Sequence, residues 1–408
     1  MATILEPRAI NPFDVSANDL YVEDTWREPF ARLRAEMPVS WRPESPFGAY
    51  WSAVSHAAIT EIELNPQVFS SSHALGNITI ADTPPETSLA NFIAMDAPRH
   101  TEQRKVVAPA FAPSQMQAHE DLVRHRTRDL IDSLPLGEPF CWVDRVAVPL
   151  TIGMLCVMFD FPFEERADLK LWSDWASNVQ PGRDPEYNAR FLAEMQRMLT
   201  RFDALMAERR ARPPSDDLLS RMVHSEAMGS LSPFERISNL ALLVVAGNDT
   251  TRNSMSGLVE ALDRYPDQLD VLRADPSLAA NAAQEIVRWQ SPVTHMRRTA
   301  VADCTVAGQT IRKGEKIVMW YISANRDETV FPEAERFDVR RDNARRHLGF
   351  GHGIHRCVGA RLAELQLTVL IEELVDRRMR VVPTGAPVRQ ASAFLHGFTA
   401  MPVRIEVD

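Results

Sequence analysis

One ten-residue stretch determines how the whole chain is interpreted: Phe350-Gly351-His352-Gly353-Ile354-His355-Arg356-Cys357-Val358-Gly359. It delivers a single cysteine at the start of a leucine-rich segment that is predicted to be helical from Ala360 to about Arg378. Its glycines permit tight backbone conformations and let a flat ligand approach the main chain closely. Backbone N–H groups of the loop and of the helix start are expected to stabilise a thiolate and to lower the pKa of Cys357. A lone thiolate held in this way suits axial ligation of haem iron.

Two other interpretations of Cys357 stay open at this point. It is either an ordinary free cysteine before a helix, or a zinc ligand together with His347, His352 or His355, although a second thiolate and the spacing of known zinc sites are lacking. The four cysteines are scattered without a C-x-x-C pair, which argues against a disulfide framework: Cys141, Cys156, Cys304 and Cys357.

A second motif lies in a long predicted helix. Ser232-Pro233-Phe234-Glu235 combines an N-cap serine, a proline at the first helical position and a glutamate at the third, and the helical pattern continues to Tyr265. Midway, the segment 246–251 (Ala-Gly-Asn-Asp-Thr-Thr) puts an acid and two hydroxyls into an apolar stretch. One interpretation is structural: Thr250 bonds back to a carbonyl one turn earlier, and Asp249 pairs with a surface arginine.

The cysteine loop resembles the haem-binding loop of the cytochrome P450 family, in which the phenylalanine, the glycines and a basic residue two positions before the cysteine recur. Four further segments resemble the family in the same order, from about Pro12 onward. The resemblance implies a mainly α fold: residues 1–408 form one large helical domain with a small β-rich region. Haem b is buried between the long central helix and the cysteine loop, and the chain up to about residue 15 is expected to be disordered.

The resemblance also implies roles for single residues. Cys357 becomes the proximal iron ligand, Ala246 and the following glycine open a notch for oxygen, Thr250 hydrogen-bonds the dioxygen, and Asp249 relays protons by general acid catalysis. The remaining matches to the family's haem contacts are Phe350, Gly351, Gly359 and four propionate partners, namely His100, Arg104, Arg298 and His355. For each basic residue a solvated surface charge is the alternative, and Arg297 competes with Arg298.

Three charged residues resemble the family's buried structural triad: Glu285, Arg288 and Arg336. Two departures from the family pattern are visible. The chain has Asp96-Ala97-Pro98 where the family usually has Asp-Pro-Pro, and His352 stands where a phenylalanine is expected.

Composition limits the classes of partner. Of 408 residues, 45% are hydrophobic and 25% charged, as in ordinary globular proteins. A formal net charge of −10 opposes binding to nucleic acid. The longest apolar run, 146–159, is shorter than the ~20 residues of a membrane span and is expected to be a buried helix. No secretion signal is visible, and a cytoplasmic location is expected.

Electrons are expected from outside, because the chain has no room for a flavin or nicotinamide domain. The resemblance suggests a [2Fe–2S] ferredoxin with a separate ferredoxin reductase. A basic patch before the cysteine loop could dock an acidic ferredoxin, or could simply be a solvated loop: Arg340, Arg341, Arg345 and Arg346.

The substrate is predicted to be apolar. Segments 247–255 and 353–359 look like the soluble bacterial branch of the family that hydroxylates terminal carbons of alkanes and fatty acids, so ω-hydroxylation of a medium-chain alkane, alcohol or fatty acid is expected. A terpenoid or other bulky apolar compound is the alternative. A non-catalytic haem carrier would not need Asp249 and Thr250. The resemblance implies substrate contacts at eight positions, for each of which ordinary core packing is the alternative: Leu242, Val245, Ala246, Val293, Thr294, Met296, Phe394 and Leu395.

Overall fold

The computed structural model describes residues 8–83, 88–177 and 184–407. Its α-helices are α1 Asp19–Val22, α2 Arg27–Glu36, α3 His56–Glu63, α4 Arg99–Val107, α5 Pro113–Asp132, α6 Val148–Phe159, α7 Arg166–Ser177, α8 Pro185–Arg210, α9 Leu218–Val223, α10 Pro233–Arg264, α11 Asp267–Ala274, α12 Ala279–Gln290, α13 Tyr321–Ala324 and α14 Ala360–Asp376. Its strands are β1 Val39–Arg42, β2 Tyr50–Ala53, β3 Phe69–Ser70, β4 Phe140–Cys141, β5 His295–Ala300, β6 Cys304–Val306, β7 Gln309–Ile311, β8 Lys316–Trp320, β9 Met379–Pro383, β10 Val388–Arg389, β11 Phe398–Ala400 and β12 Pro402–Val407.

The central helix α10 begins where its capping signals predict. The Ser232 hydroxyl accepts the backbone N–H of Glu235 at 3.3 Å, and the Glu235 carboxylate accepts the backbone N–H of Ser232 at 3.3 Å. These reciprocal bonds satisfy N–H groups that have no partner inside the helix. The helix ends at Arg264, just before Pro266, and its middle crosses the main hydrophobic core.

The apolar run 146–159 is largely helix α6, and nine residues of that helix are buried. A short π-helical turn, Val143–Ala147, leads into it. Helix α6 packs against α10, as do α7 and α12, so the acid–alcohol segment of α10 is enclosed by protein. Within the described ranges, no helix is long and apolar enough to cross a membrane.

Turn residues at Ala307-Gly308 and Lys313-Gly314 predict small hairpins between Cys304 and Ile322, but the β region is larger than that. The turn at Ala307-Gly308 does form the hairpin β6–β7. The next strand, β8, instead joins a five-stranded sheet in the order β1-β2-β8-β5-β3, where it pairs with β5 antiparallel and with β2 parallel. The sequence around Gly314 marks the turn, but the partner strand β2 comes from the N-terminal part of the chain.

The expected disorder up to about residue 15 does not hold for residues 8–15. Val15 is fully buried, Ile10 forms a bridge with Trp41, and Arg8 pairs with Glu315 at 2.5 Å. Residues 1–7 lie outside the described part of the chain.

The predicted triad needs one correction, because its third side chain is Arg341 and not Arg336. Arg288 Nε donates to Glu285 Oε2 at 2.7 Å, and Arg341 Nε donates to Glu285 Oε1 at 3.0 Å. Arg336 turns its side chain outward to Asp267 and contributes only its carbonyl, which accepts from Arg288 at 2.9 Å. The chain curls around Arg288 here, so a later arginine reaches the buried glutamate.

Candidate functional site

A large cavity lies between helix α10 and the cysteine loop. Ala246, Gly247 and Thr250 line it from α10. The opposite wall carries residues of the cysteine loop, namely Phe350, Gly351, His355, Cys357, Val358 and Gly359. A flat group between the two walls would contact both α10 and the cysteine loop.

The loop holds Cys357 by main-chain contacts. The backbone N–H of Cys357 donates to the carbonyl of Phe350 at 2.7 Å. Gly351 and Gly353 have φ of +67° and +63°, a conformation that side chains disfavour. A Cβ on Gly353 would also collide with the carbonyl oxygen of Glu63. The loop is thus fixed against the end of α3, with Cys357 opening on the cavity.

The backbone N–H of Gly359 lowers the pKa of the Cys357 thiol, as expected of the loop, and Arg104 lowers it too. Desolvation raises it by more, so the net shift of the pKa is upward. A directly bound cation would deprotonate this thiol. Within the described ranges, no three His, Cys, Asp or Glu side chains come together as a metal site, so the zinc hypothesis has no support.

A basic end of the cavity is formed by His100, Arg104, Arg298 and His355. Arg104, Arg298 and His355 line the cavity, and the His100 ring packs on that of His355 with centroids 4.2 Å apart. Both ring nitrogens of His100 and Nδ1 of His355 are buried without a hydrogen-bond partner among the described residues. Buried polar groups are normally paired, so these atoms fit a ligand that brings carboxylates, as haem does with its propionates.

The side chains of Arg298 and Arg297 have different surroundings. Successive residues of strand β5 point to opposite faces. Arg298 lines the cavity, whereas Arg297 pairs with Asp82 at 2.5 Å and donates to the carbonyls of Leu75 and Gly76 at 3.2 Å each. Arg298, the arginine predicted to contact a propionate, is thus the one that lines the cavity.

Thr250 and Asp249 occupy different environments. Thr250 lines the cavity, and its hydroxyl donates to the carbonyl of Ala246 at 3.0 Å. Asp249 is fully buried and does not line the cavity: its Oδ1 pairs with Arg252 at 2.9 Å and accepts from Ser173 at 3.3 Å. Its Oδ2 has no hydrogen-bond partner among the described residues, and burial raises the pKa of Asp249 to about 6.

Half of the predicted substrate contacts reach the cavity: Leu242, Ala246, Val293 and Met296. Four do not line it, namely Val245, Thr294, Phe394 and Leu395. The Thr294 hydroxyl donates to the carbonyls of Ala393 and Phe394 and so ties down the C-terminal segment. Sequence reasoning missed other apolar lining residues that come from distant elements, including Ile78, Phe92, Met158 and Leu218.

Sequence reasoning also missed Glu63, the last residue of α3. Its carboxylate lines the cavity beside Arg298 and accepts a hydrogen bond from the Tyr321 hydroxyl at 2.6 Å. The only available signal was an acid at the end of an amphipathic helix, which is common on protein surfaces.

A cysteine loop beneath a long helix, with a basic end between them, defines a haem-thiolate oxidoreductase. The comparisons agree. The family model for cytochrome P450 matches residues 185–406. Linalool 8-monooxygenase from Pseudomonas putida is 38% identical, with 96% of this chain and 98% of the relative covered. Methyl-branched lipid omega-hydroxylase from Mycobacterium tuberculosis is 38% identical over 92% of this chain and 90% of the relative.

Among solved structures, cytochrome P450-153 from Novosphingobium aromaticivorans has a TM-score of 0.92 and 50% identity, covering 96% of this chain and 99% of that one. The chain belongs to the cytochrome P450 family. It is a monooxygenase of a family that uses haem b, O₂, apolar substrates and redox partners.

Proposed function

We propose that this enzyme hydroxylates the terminal carbon of a medium-chain alkane or fatty acid. The observation that carries the proposal is the chemistry of the cavity wall. The side chains that line it around Leu242, Val293 and Met296 are apolar, while its arginines and its glutamate lie at the basic end. An unbranched hydrocarbon chain matches such a wall, and the similarity to a methyl-branched lipid omega-hydroxylase supports the same reaction.

Haem supplies the oxidising chemistry when bound, and the chain positions it. In this proposal Cys357 would hold the iron through its thiolate, and the loop residues Phe350, Gly351 and Gly359 would contact the porphyrin. His100, Arg104, Arg298 and His355 would bind the two propionates, which would give the unpaired ring nitrogens of the two histidines acidic partners. Ala246 leaves room for oxygen at the wall of α10.

Asp249 holds and moves a proton. Burial raises its pKa to about 6, close to the pH at which an acid must both bind and release a proton. Arg252, which pairs with Asp249, also pairs with Asp174 at 3.1 Å, and Asp174 contacts the half-exposed Lys170 at 2.7 Å. These groups connect the buried acid to the surface. Rotation of Asp249 away from Arg252 then delivers the proton through water towards the Thr250 hydroxyl.

Electrons come from an acidic [2Fe–2S] ferredoxin and its separate reductase. Arg340, Arg345 and Arg346 are exposed just before the cysteine loop. Arg341 is buried and donates to Glu285, so it is not part of the proposed docking patch. A patch of three arginines in a chain of net charge −10 favours an acidic partner. The free cysteines suit a reducing compartment, so the cytoplasm is the proposed location.

Linalool 8-monooxygenase as a relative supports a second candidate, hydroxylation of a terpenoid. The test is a substrate screen with purified enzyme, a surrogate ferredoxin and its reductase, using decane, dodecanoic acid and linalool in parallel. We expect the two chain substrates to shift the Soret band and to yield products hydroxylated at the terminal carbon. Turnover of linalool alone would replace the proposal with the terpenoid reaction, and no spectral shift with any of them would reject both.

A further inference from the structure

Glu63 is an acid in an unexpected place. Its side chain is 1% exposed, its Oε1 accepts from Tyr321 at 2.6 Å, and Arg298 Nη2 lies 3.5 Å from the same oxygen. Its second oxygen, Oε2, is buried and makes no hydrogen bond of ordinary geometry to the described residues, although the backbone N–H of His352 also faces the carboxylate. The residue lines the cavity on the same wall as Arg298 and His355. A buried polar atom without a partner, next to a ligand cavity, indicates a contact that the ligand completes.

The charges at the basic end argue for the neutral form of Glu63. Arg104 and Arg298 carry two positive charges, and the rings of His100 and His355 pack on each other with centroids 4.2 Å apart, a contact that two further positive charges would oppose. Two propionates balance the two arginines. An ionised Glu63 would add a third carboxylate to the same wall, and an uncompensated buried charge is costly. A neutral acid instead offers an O–H donor, which a propionate can accept.

The titratable and charged groups packed around Glu63 come from several elements. They are Arg298 of β5, Tyr321 of α13, His352 and His355 of the cysteine loop, and Cys304 of β6, which faces Glu61. Burial raises the pKa of Tyr321 well above its ordinary value. Burial also raises the pKa of Glu63 to about 7, an effect that Arg298, Tyr321 and the His352 N–H reduce but do not cancel.

We propose that Glu63 is a cofactor-positioning residue that stays neutral and donates a hydrogen bond from Oε2 to a haem propionate. Tyr321 fixes the orientation of its carboxyl group by donating to Oε1. The inference rests on the proposed placement of the propionates at Arg298 and His355. It predicts that the enzyme loosens its hold on haem as pH rises and the Glu63 proton is lost to solvent, because an ionised Glu63 then repels the propionate.

The test measures haem transfer from the holoenzyme to excess apomyoglobin between about pH 6 and about pH 9. In the wild type, release should accelerate about tenfold as pH rises through the Glu63 titration. Glu63→Gln keeps an N–H donor and should release haem slowly at every pH, and Glu63→Leu should release it fast at every pH. The exposed Glu61→Gln, on the same helix, is the matched control and should behave as wild type.

An infrared difference spectrum of wild type minus Glu63→Gln gives a readout that folding defects do not mimic: the C=O stretch of a neutral carboxylic acid, lost at high pH. Absence of this band, or haem release as fast from Glu63→Gln as from Glu63→Leu, would overturn the inference. Arg298→Gln distinguishes a failure of the proposed propionate placement from a failure of the proposed role of Glu63. If it releases haem no faster than wild type, the proposed propionate placement is wrong; if it does release haem faster while the Glu63 variants behave as wild type, only the role of Glu63 is wrong.

Discussion

Two buried charged clusters of this protein differ in how completely their polar atoms are paired. In the triad, Glu285 accepts from Arg288 and Arg341, and Arg288 also donates to the carbonyls of Asn325 and Ala334 at 2.8 and 2.7 Å. At the basic end of the cavity, nitrogens of His100 and His355 and one oxygen of Glu63 lack partners among the described residues. A fully paired cluster serves the fold, whereas an incompletely paired one beside a cavity serves a ligand.

Truncation of the triad should therefore have the largest effect, and on the fold itself. Arg288→Ala leaves Glu285 with one partner fewer in a fully buried site, which should cost about 3–5 kcal/mol of unfolding free energy. Arg341→Ala should also be severe. Arg336→Ala, which removes only an exposed pair with Asp267, should cost less than about 1 kcal/mol. Urea unfolding of the three variants measures the unfolding free energy. Equal losses for the Arg336 and Arg341 variants would contradict the correction and favour the predicted triad with Arg336.

Asp249 is intermediate between the two clusters, since one of its oxygens is paired and the other is not. Asp249→Asn keeps the size of the side chain but removes the acid, so product formation should fall about 10²-fold while electrons are diverted to hydrogen peroxide. Haem content should stay normal because Asp249 does not line the cavity. Product and peroxide per electron consumed are the quantities to measure, and an Asn variant that remains fully coupled would remove Asp249 from the proton path.

Two buried histidines differ in the same way as the two clusters, in whether their ring nitrogens are hydrogen-bonded. His347 is paired, since it contacts Gln284 at 3.2 Å and accepts the N–H of Gly349 at 3.0 Å, whereas His100 has no partner among the described residues. His100→Leu should leave the stability of the apoprotein unchanged and speed haem release about tenfold. His347→Leu should lower apoprotein stability by about 1–3 kcal/mol, because it leaves the Gly349 N–H unpaired. The reverse pattern would mean that unpaired atoms do not identify the cofactor site.

The smallest effect is expected at the surface. The double variant Arg345→Glu with Arg346→Glu should slow reduction by an acidic ferredoxin about fivefold at low salt, and the difference should shrink as salt screens the charges. The double variant Arg210→Glu with Arg212→Glu, at two exposed positions at the end of α8, changes the net charge by the same amount and is the control. Stopped-flow reduction at several salt concentrations measures the effect; equal slowing by the control would argue against a local docking patch.

Local signals in the sequence predicted the parts of this protein that depend on neighbouring residues. The capping box at Ser232, the hairpin turn at Ala307 and the glycine-rich cysteine loop all act within a few residues, and each was found from the sequence. Long-range geometry was not readable in the same way. Whether Arg336 or Arg341 reaches Glu285 depends on how a loop curls, and the position of Glu63 beside Arg298 depends on packing between segments far apart in the chain.

The ligation of haem by Cys357 is the central claim, and the spectrum of the reduced enzyme with carbon monoxide tests it most directly. Wild-type protein should show the strongly red-shifted Soret band of a thiolate-ligated haem, and Cys357→His, if it folds and binds haem, should lose that shift. An imidazole-like spectrum from properly folded wild-type protein, or a Cys357→His variant that keeps the red-shifted band, would contradict the assignment.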